Sequence, residues 1–256
     1  MTHFAERLLD FLMLKTSMLK QINNENKNGG KEKTGVVLLA AGAGTRFGKD
    51  KIFFELAGKP VIAWSLDVFE KFPFVSEIVL VFNKDNMKKA RAFLKERDYK
   101  KISAVCIGGE RRQDSVYNGL KNAGDWKYVI IHDGARPFIN EEIILRGMEE
   151  TKKTGAAIAA VPVKDTIKIV NPENLIEHTL ERDRLWAVQT PQIFDYETIL
   201  KAHEMNKNVN VTDDASMLER AGFSVKIFLG SYNNIKITTP EDIEIGKSIA
   251  SKLIRG

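Results

Sequence analysis

The hydrophobic pattern of the chain changes character once, near residue 34. Before that point Phe4, Leu8, Leu9, Phe11, Leu12 and Met18 recur at helical spacing, and residues 21–34 then become a run of Asn, Lys and Gly. Residues 1–34 therefore read as an amphipathic helix and a flexible linker. From residue 35 onward, short apolar runs alternate with longer amphipathic stretches. The runs at 36–41, 77–82, 102–107, 128–132, 156–161, 225–229 and 235–238 predict strands, and the stretches at 61–71, 84–96, 113–122, 141–154, 196–204, 212–221 and 241–253 predict helices. Strands that are apolar throughout are buried on both faces, and helices of about ten residues between them supply the crossovers of a parallel sheet. The expected fold is α/β with a mostly parallel sheet, in one body spanning residues 35–256.

Residues 164–191 break this alternation. Strand-like pieces at 166–170 and 175–179 flank a turn signal, Asn171-Pro172 with Asn174. The segment is too polar for a buried central pair and predicts a β-hairpin excursion. An exposed edge hairpin and a dimerisation arm both fit that pattern.

Composition removes several function classes. The 256 residues are 43% hydrophobic and 29% charged, an ordinary globular balance. Asp10, Lys15 and Lys20 interrupt the most apolar part of the N-terminus, so no membrane span is expected. Glu6 and Asp10, with no small-residue cleavage site, argue against a secretory or transit signal. The 39 basic residues exceed the 34 acidic ones by a scattered margin without interleaved aromatics, which speaks against nucleic acid and suits a small anionic ligand. Cys106 is the only cysteine and can form no internal bridge, as expected for a cytoplasmic protein.

In open parallel sheets ligands bind beyond the carboxyl ends of the strands, which directs attention to the loops after Ala41, Ile107 and His132. The first contains Ala40, Ala41, Gly42, Gly44, Arg46, Lys49 and Lys51. It fails the dinucleotide fingerprint at Phe47 and the Walker pattern at Ala43 and Asp50, yet a Gly-rich turn followed by cations suits a triphosphate. The second is Gly108-Gly109-Glu110-Arg111-Arg112-Gln113-Asp114-Ser115, whose double Gly permits close backbone approach to a planar ligand. The third is His132-Asp133-Gly134-Ala135-Arg136-Pro137, with a carboxylate placed to hold Mg²⁺ against phosphate oxygens. The four His are scattered and suggest no zinc site.

These loops occur in order with P162-V163-K164-D165-T166, T190-P191-Q192, T212-D213-D214-A215-S216 and N234-I235-K236. The ordered set closely resembles the 2-C-methyl-D-erythritol 4-phosphate cytidylyltransferases of the non-mevalonate isoprenoid pathway, over the whole body and excluding only the first 34 residues. The resemblance implies a Rossmann-like nucleotidyltransferase sheet, and a homodimer formed through a swapped β-arm. The implied substrates are CTP and methylerythritol phosphate, and the implied cofactor is Mg²⁺ or another divalent cation. By matching position, Ala40, Ala41, Gly42, Gly44, Gly109, Glu110 and Ser115 would bind the nucleotide. Arg46, Lys51 and Lys236 would be catalytic, Asp133 would hold the metal, and Arg136, Thr166 and Arg182 would bind the acceptor, the last two from the partner's arm. The family commonly has Pro before the lysine and a longer spacer after the arginine. Here Asp50 precedes Lys51, and Lys49 is a rival for its role. A ribitol 5-phosphate cytidylyltransferase would share the nucleotide half, and an inactive nucleotide-binding protein would be expected to lack one of the cations or the carboxylate.

Overall fold

The computed structural model describes residues 12–17, 32–42 and 51–255. Seven strands form the central sheet: β1 (Thr34–Ala40), β4 (Glu77–Phe82), β5 (Ile102–Ile107), β6 (Tyr128–Asp133), β7 (Ala156–Pro162), β10 (Trp186–Asp195) and β11 (Lys226–Leu229). Their order is β11-β7-β10-β6-β1-β4-β5, and every neighbouring pair is parallel except the two that β10 makes with β6 and β7. All seven residues of β1 are buried, as an apolar run between two parallel neighbours requires.

Alternate residues of β1 face opposite layers. Val36, Leu38 and Ala40 belong to one core with α1 (Val61–Lys71), α2 (Met87–Lys95) and α4 (Glu141–Thr154). Val37 and Leu39 belong to the other, with α3 (Arg112–Leu120), α5 (Tyr196–Met205) and α6 (Ala215–Arg220). This is the sequence's period of two made into two helical layers. A third cluster joins α7 (Pro240–Arg255) through Ile243 and Ala250 to Leu56, Val61, Phe138 and Ile237. Leu56 lies on the short ribbon of β2 (Glu55–Leu56) and β3 (Lys59–Pro60), which the hydrophobic pattern did not disclose.

Two further expectations change. The apolar run at 235–238 is not a strand: it crosses the sheet's end as a loop, with the Ile237 N–H donating to Ala135 O at 2.8 Å. Conversely, β10 was not foreseen, and it begins at Trp186, inside the range expected for the arm. The excursion itself is a hairpin of β8 (Lys168–Val170) and β9 (Ile176–Thr179). Its turn is made by Asn171, whose Oδ1 accepts from the N–H groups of Glu173 and Leu175, and by Asn174 at φ 62°. Near the arm's base Lys164 lies 3.7 Å over the Tyr232 ring. Of the first 34 residues, 12–17 are helical; Leu14 packs against the first core and Lys15 pairs with Glu141 at 2.5 Å. The remainder of the expected N-terminal helix and most of its linker lie outside the described residues.

Candidate active site

The sheet's strand order reverses between β1 and β6, and the crevice opens at that switch point. Asp133 ends β6 opposite Leu39 of β1. On the other side of β1, the chain leaves β5 through Gly108 and Gly109. A Cβ on Gly108 would sit 2.5 Å from Ala41 Cβ and 2.6 Å from Ser115 Oγ, and one on Gly109 would sit 2.3 Å from Asp114 Cβ. Both positions therefore require Gly for close approach. The buried Ser115 hydroxyl accepts from the Gly109 N–H at 3.1 Å, and Asp114 accepts from the Arg111 N–H at 3.1 Å, which fixes the loop on the start of α3.

Asp133 is the electrostatic centre. Its Oδ2 lies 2.7 Å from Lys236 Nζ and 4.0 Å from Arg136 Nε, while its Oδ1 lies 3.4 Å from Arg112 Nε. Burial alone would raise its pKa, but Arg112, Lys236 and Arg136 together outweigh burial and hold the carboxyl far below the usual range. It is ionised at any physiological pH. Its backbone N–H donates to the Thr190 hydroxyl at 3.0 Å, and the same hydroxyl meets Nδ1 of fully buried His132 at 3.1 Å. Burial, the largest influence, lowers His132 to about 4, so it is neutral near pH 7.

Arg136 and Lys236 arrive from different loops. Arg136 Nη1 donates to Asn234 O at 2.8 Å, and Asn234 Nδ2 donates to Thr190 O at 2.8 Å. These bonds bind the loop carrying Lys236 to the middle of β10. Lys51 starts a 3-10 turn, Lys51–Phe53, whose next residue, Ile52, is buried. Phe53 stacks on Phe82 at 5.8 Å, so the backbone beneath Lys51 is anchored in the core.

Ala40, Ala41, Gly42, Lys51, Gly109, Glu110, Ser115, Asp133 and Lys236 line one cleft of about 820 Å³. Arg136 lines an adjoining cavity of about 480 Å³, which shares Arg112, Asp133 and Lys236 with the cleft. Thr166 and Arg182 line neither; both are exposed on the arm, where Arg182 Nη1 donates to Lys164 O at 3.3 Å. Gly44 and Arg46, and the rival Lys49, lie outside the described residues. Sequence reading assigned no role to Arg112, which bridges Asp133 and buried Asp214, or to Gln189 and Thr190 of β10. Their signal was available only as motif positions, because their partners are distant in sequence.

The donor set suits Mg²⁺ but no preformed cage. Among the described residues no group of three or more His, Cys, Asp or Glu could hold a metal ion. One carboxylate ringed by cations fits an ion that arrives with phosphate oxygens already bound to it.

A sequence model of the 2-C-methyl-D-erythritol 4-phosphate cytidylyltransferase family matches residues 34–252. The chain is 48% identical over 222 residues to the protein of that name from Dehalococcoides mccartyi strain ATCC BAA-2266, covering 86% of this chain and 97% of the relative. It is 47% identical over 223 residues to that from Alkaliphilus oremlandii, covering 85% and 94%. Among solved structures, the 4-diphosphocytidyl-2C-methyl-D-erythritol synthase of Anaerococcus prevotii superposes with a TM-score of 0.77 at 33% identity, covering 86% of this chain and 96% of that one. The Francisella tularensis 2-C-methyl-D-erythritol 4-phosphate cytidylyltransferase gives 0.72 at 32% identity, covering 85% and 100%. With its cleft at the same sheet crossover that the motifs indicated, the chain belongs to the 2-C-methyl-D-erythritol 4-phosphate cytidylyltransferase family.

Proposed function

We propose that the chain transfers the cytidylyl group of CTP to 2-C-methyl-D-erythritol 4-phosphate, giving 4-diphosphocytidyl-2-C-methyl-D-erythritol and pyrophosphate. The observation that carries this reading is the convergence of Gly109, Ser115, Lys51, Asp133 and Lys236 on one cleft, open beside a second cavity lined by Arg136. A phosphate oxygen of the acceptor attacks the α-phosphorus of CTP. The new P–O bond forms as the bond to the β-phosphate oxygen breaks, and pyrophosphate leaves with that electron pair. Because the attacking oxygen is already anionic, the reaction needs neither a general base nor a covalent nucleophile. Positioning and charge neutralisation suffice.

In this reading Ala40, Ala41, Gly42, Gly44, Gly109, Glu110 and Ser115 surround the nucleotide. Arg46 and Lys51 hold the triphosphate, Lys236 neutralises charge where the phosphates meet, and Arg136 receives the acceptor phosphate. Asp133 would hold Mg²⁺, and the ion, when bound, would offset charge on the triphosphate and the departing pyrophosphate. Thr166 and Arg182 reach the acceptor from the arm of a second subunit. Support for that arrangement comes from their absence from the lining of their own chain's cleft and from the exposed Leu175, Ile176, Trp186 and Val188 on and beside the arm. The cytoplasm is the proposed location, supported by a lone, half-buried Cys106 whose thiol burial pushes upward. No helix among the described residues is long and apolar enough to cross a membrane.

Pyrophosphate release tests the whole reading. Strong release is expected only with CTP and methylerythritol phosphate. A backbone-lined base site that leaves polar groups unpaired with the wrong base discriminates by more than size. Equal turnover of UTP would remove the nucleotide assignment, and faster turnover of ribitol 5-phosphate would change the acceptor.

A further inference from the structure

Behind the cleft, reached from Asp133 through Arg112, lies a buried polar corner that the reaction as described does not use. Arg112, the first residue of α3, is caught between two carboxylates: its Nη1 is 2.7 Å from Asp214 Oδ2, and its Nε is 3.4 Å from Asp133 Oδ1. Asp214 is sealed from solvent, and its other oxygen faces Nε2 of buried His203 at 3.4 Å. Gln192 of β10 fixes this corner, its Oε1 accepting from the N–H groups of Asp214 and Ala215 at 3.1 and 3.2 Å. Tyr117 of α3 stacks on the His203 ring at 6.4 Å. Neither Asp214 nor His203 lines the cleft or its adjoining cavity.

The distances are unequal in a useful way. Lys236 holds Oδ2 of Asp133 closely, whereas among the described residues Oδ1 meets the long contact from Arg112. An arginine facing a single carboxylate frequently closes on both oxygens as a bidentate pair. Here the shorter bond to Asp214 draws the guanidinium the other way. Resting on the reading of Asp133 given above, we infer that Asp214 and His203 are positioning residues: they hold Arg112 off Asp133 and keep one oxygen of Asp133 open to the divalent cation that accompanies CTP. Without the charge of Asp214, Arg112 keeps one carboxylate partner among the described residues, Asp133, and competes with the cation for it.

The test measures CTP affinity by calorimetry, without acceptor, in Mg²⁺ and in excess chelator. The ratio of the two affinities is the cation's contribution. In Asp214→Asn that ratio is expected to fall at least tenfold, and the Mg²⁺ concentration giving half-maximal turnover to rise by a similar factor. In the double variant Asp214→Asn with Arg112→Gln the ratio returns to within threefold of the parent's, because the competing guanidinium is gone. A merely structural Asp214 would show no such recovery. If Asp214→Asn does not fold, His203→Asn is read in its place, with a fall of about threefold expected. An unchanged ratio in the single variant, or no recovery in the double, overturns the inference. If the parent itself shows no gain from Mg²⁺, the assignment of Asp133 fails instead.

Discussion

Lys51 and Lys49 lie two positions apart in the sequence, and the surroundings of Lys51 set the expectation that separates them. Lys51 opens a turn in which Ile52 is buried and the partly buried Phe53 stacks on Phe82, so its ammonium is carried on a fixed backbone. A cation held against charge that develops in the transition state lowers the barrier by roughly 3–4 kcal/mol, about 10² to 10³ in turnover. Lys51→Ala should lose turnover by that order while CTP affinity falls less, and Lys49→Ala should stay within about tenfold of the parent. Steady-state kinetics at saturating Mg²⁺ decide the matter, and the reverse ranking would transfer the role to Lys49. His132 leads to a different kind of prediction. Burial depresses it to about 4 in the folded chain against about 6.5 when unfolded, so between those values the unfolded chain binds a proton that the folded chain does not. Stability should therefore decline as pH falls from about 6.5 to about 4, by about 3 kcal/mol in total. Below that window the depressed carboxyls of Asp133 and Asp214 continue the decline. Urea titrations from pH 7 to 4.5 should show the slope in the parent and a flatter one in His132→Asn.

At the scale of elements, the loop between β5 and α3 shows how a short sequence can specify a surface. Because a Cβ on Gly108 would collide with Ala41 and Ser115, Gly108→Ala must push the loop outward. The expected result is a rise of about tenfold in the KM for CTP, with a stability loss of about 1–3 kcal/mol typical of overpacking. An unchanged KM would mean that this loop does not form the base site. The same loop was legible from sequence because everything that defines it is local. So were β1, β4, β6 and β7, whose apolar runs state their own burial, and β5, whose apolar run marked a strand but which lies half-exposed at the sheet's edge. β10 was not legible, because Gln189, Thr190 and Gln192 are polar residues in buried positions, and Pro191 argues against a strand. Their polar groups are satisfied by Ser231, Asp133 and Asp213, partners that no sequence window contains. The run at 235–238 misled in the opposite sense: Ile237 is buried by the cluster under α7 rather than by a sheet neighbour. Asp133 and Lys236 could be nominated from their motifs, but the bridge of Arg112 to Asp214 needed three dimensions.

For the molecule as a whole, the arm is the feature on which the proposed assembly turns. It projects a two-stranded ribbon with apolar side chains left in solvent, and a lone hairpin of that size gains little stability by itself. If it completes a neighbour's acceptor site, shortening its tip should give a folded monomer of low activity, seen by light scattering and pyrophosphate release. Mixed dimers of Arg182→Ala and Lys51→Ala subunits should regain activity, since one of the two hybrid sites receives both an intact arm and an intact catalytic loop. No recovery in verified mixed dimers would confine Arg182 to a role within its own chain.

The pairing of β7 with β10 separates two kinds of change open to this chain. Pro162, where the excursion departs, lies opposite Trp186, where it returns, so the segment leaves and re-enters the sheet at a single rung. Closing a loop of different length there alters the chain's entropy only logarithmically, about 0.6 kcal/mol per doubling. Everything beyond that rung can be lengthened, shortened or exchanged with a relative's segment while the rungs behind it keep their register. The nucleotide half would remain as it is and, on the proposed role of the arm, a graft at this one position would exchange acceptor preference and subunit pairing together.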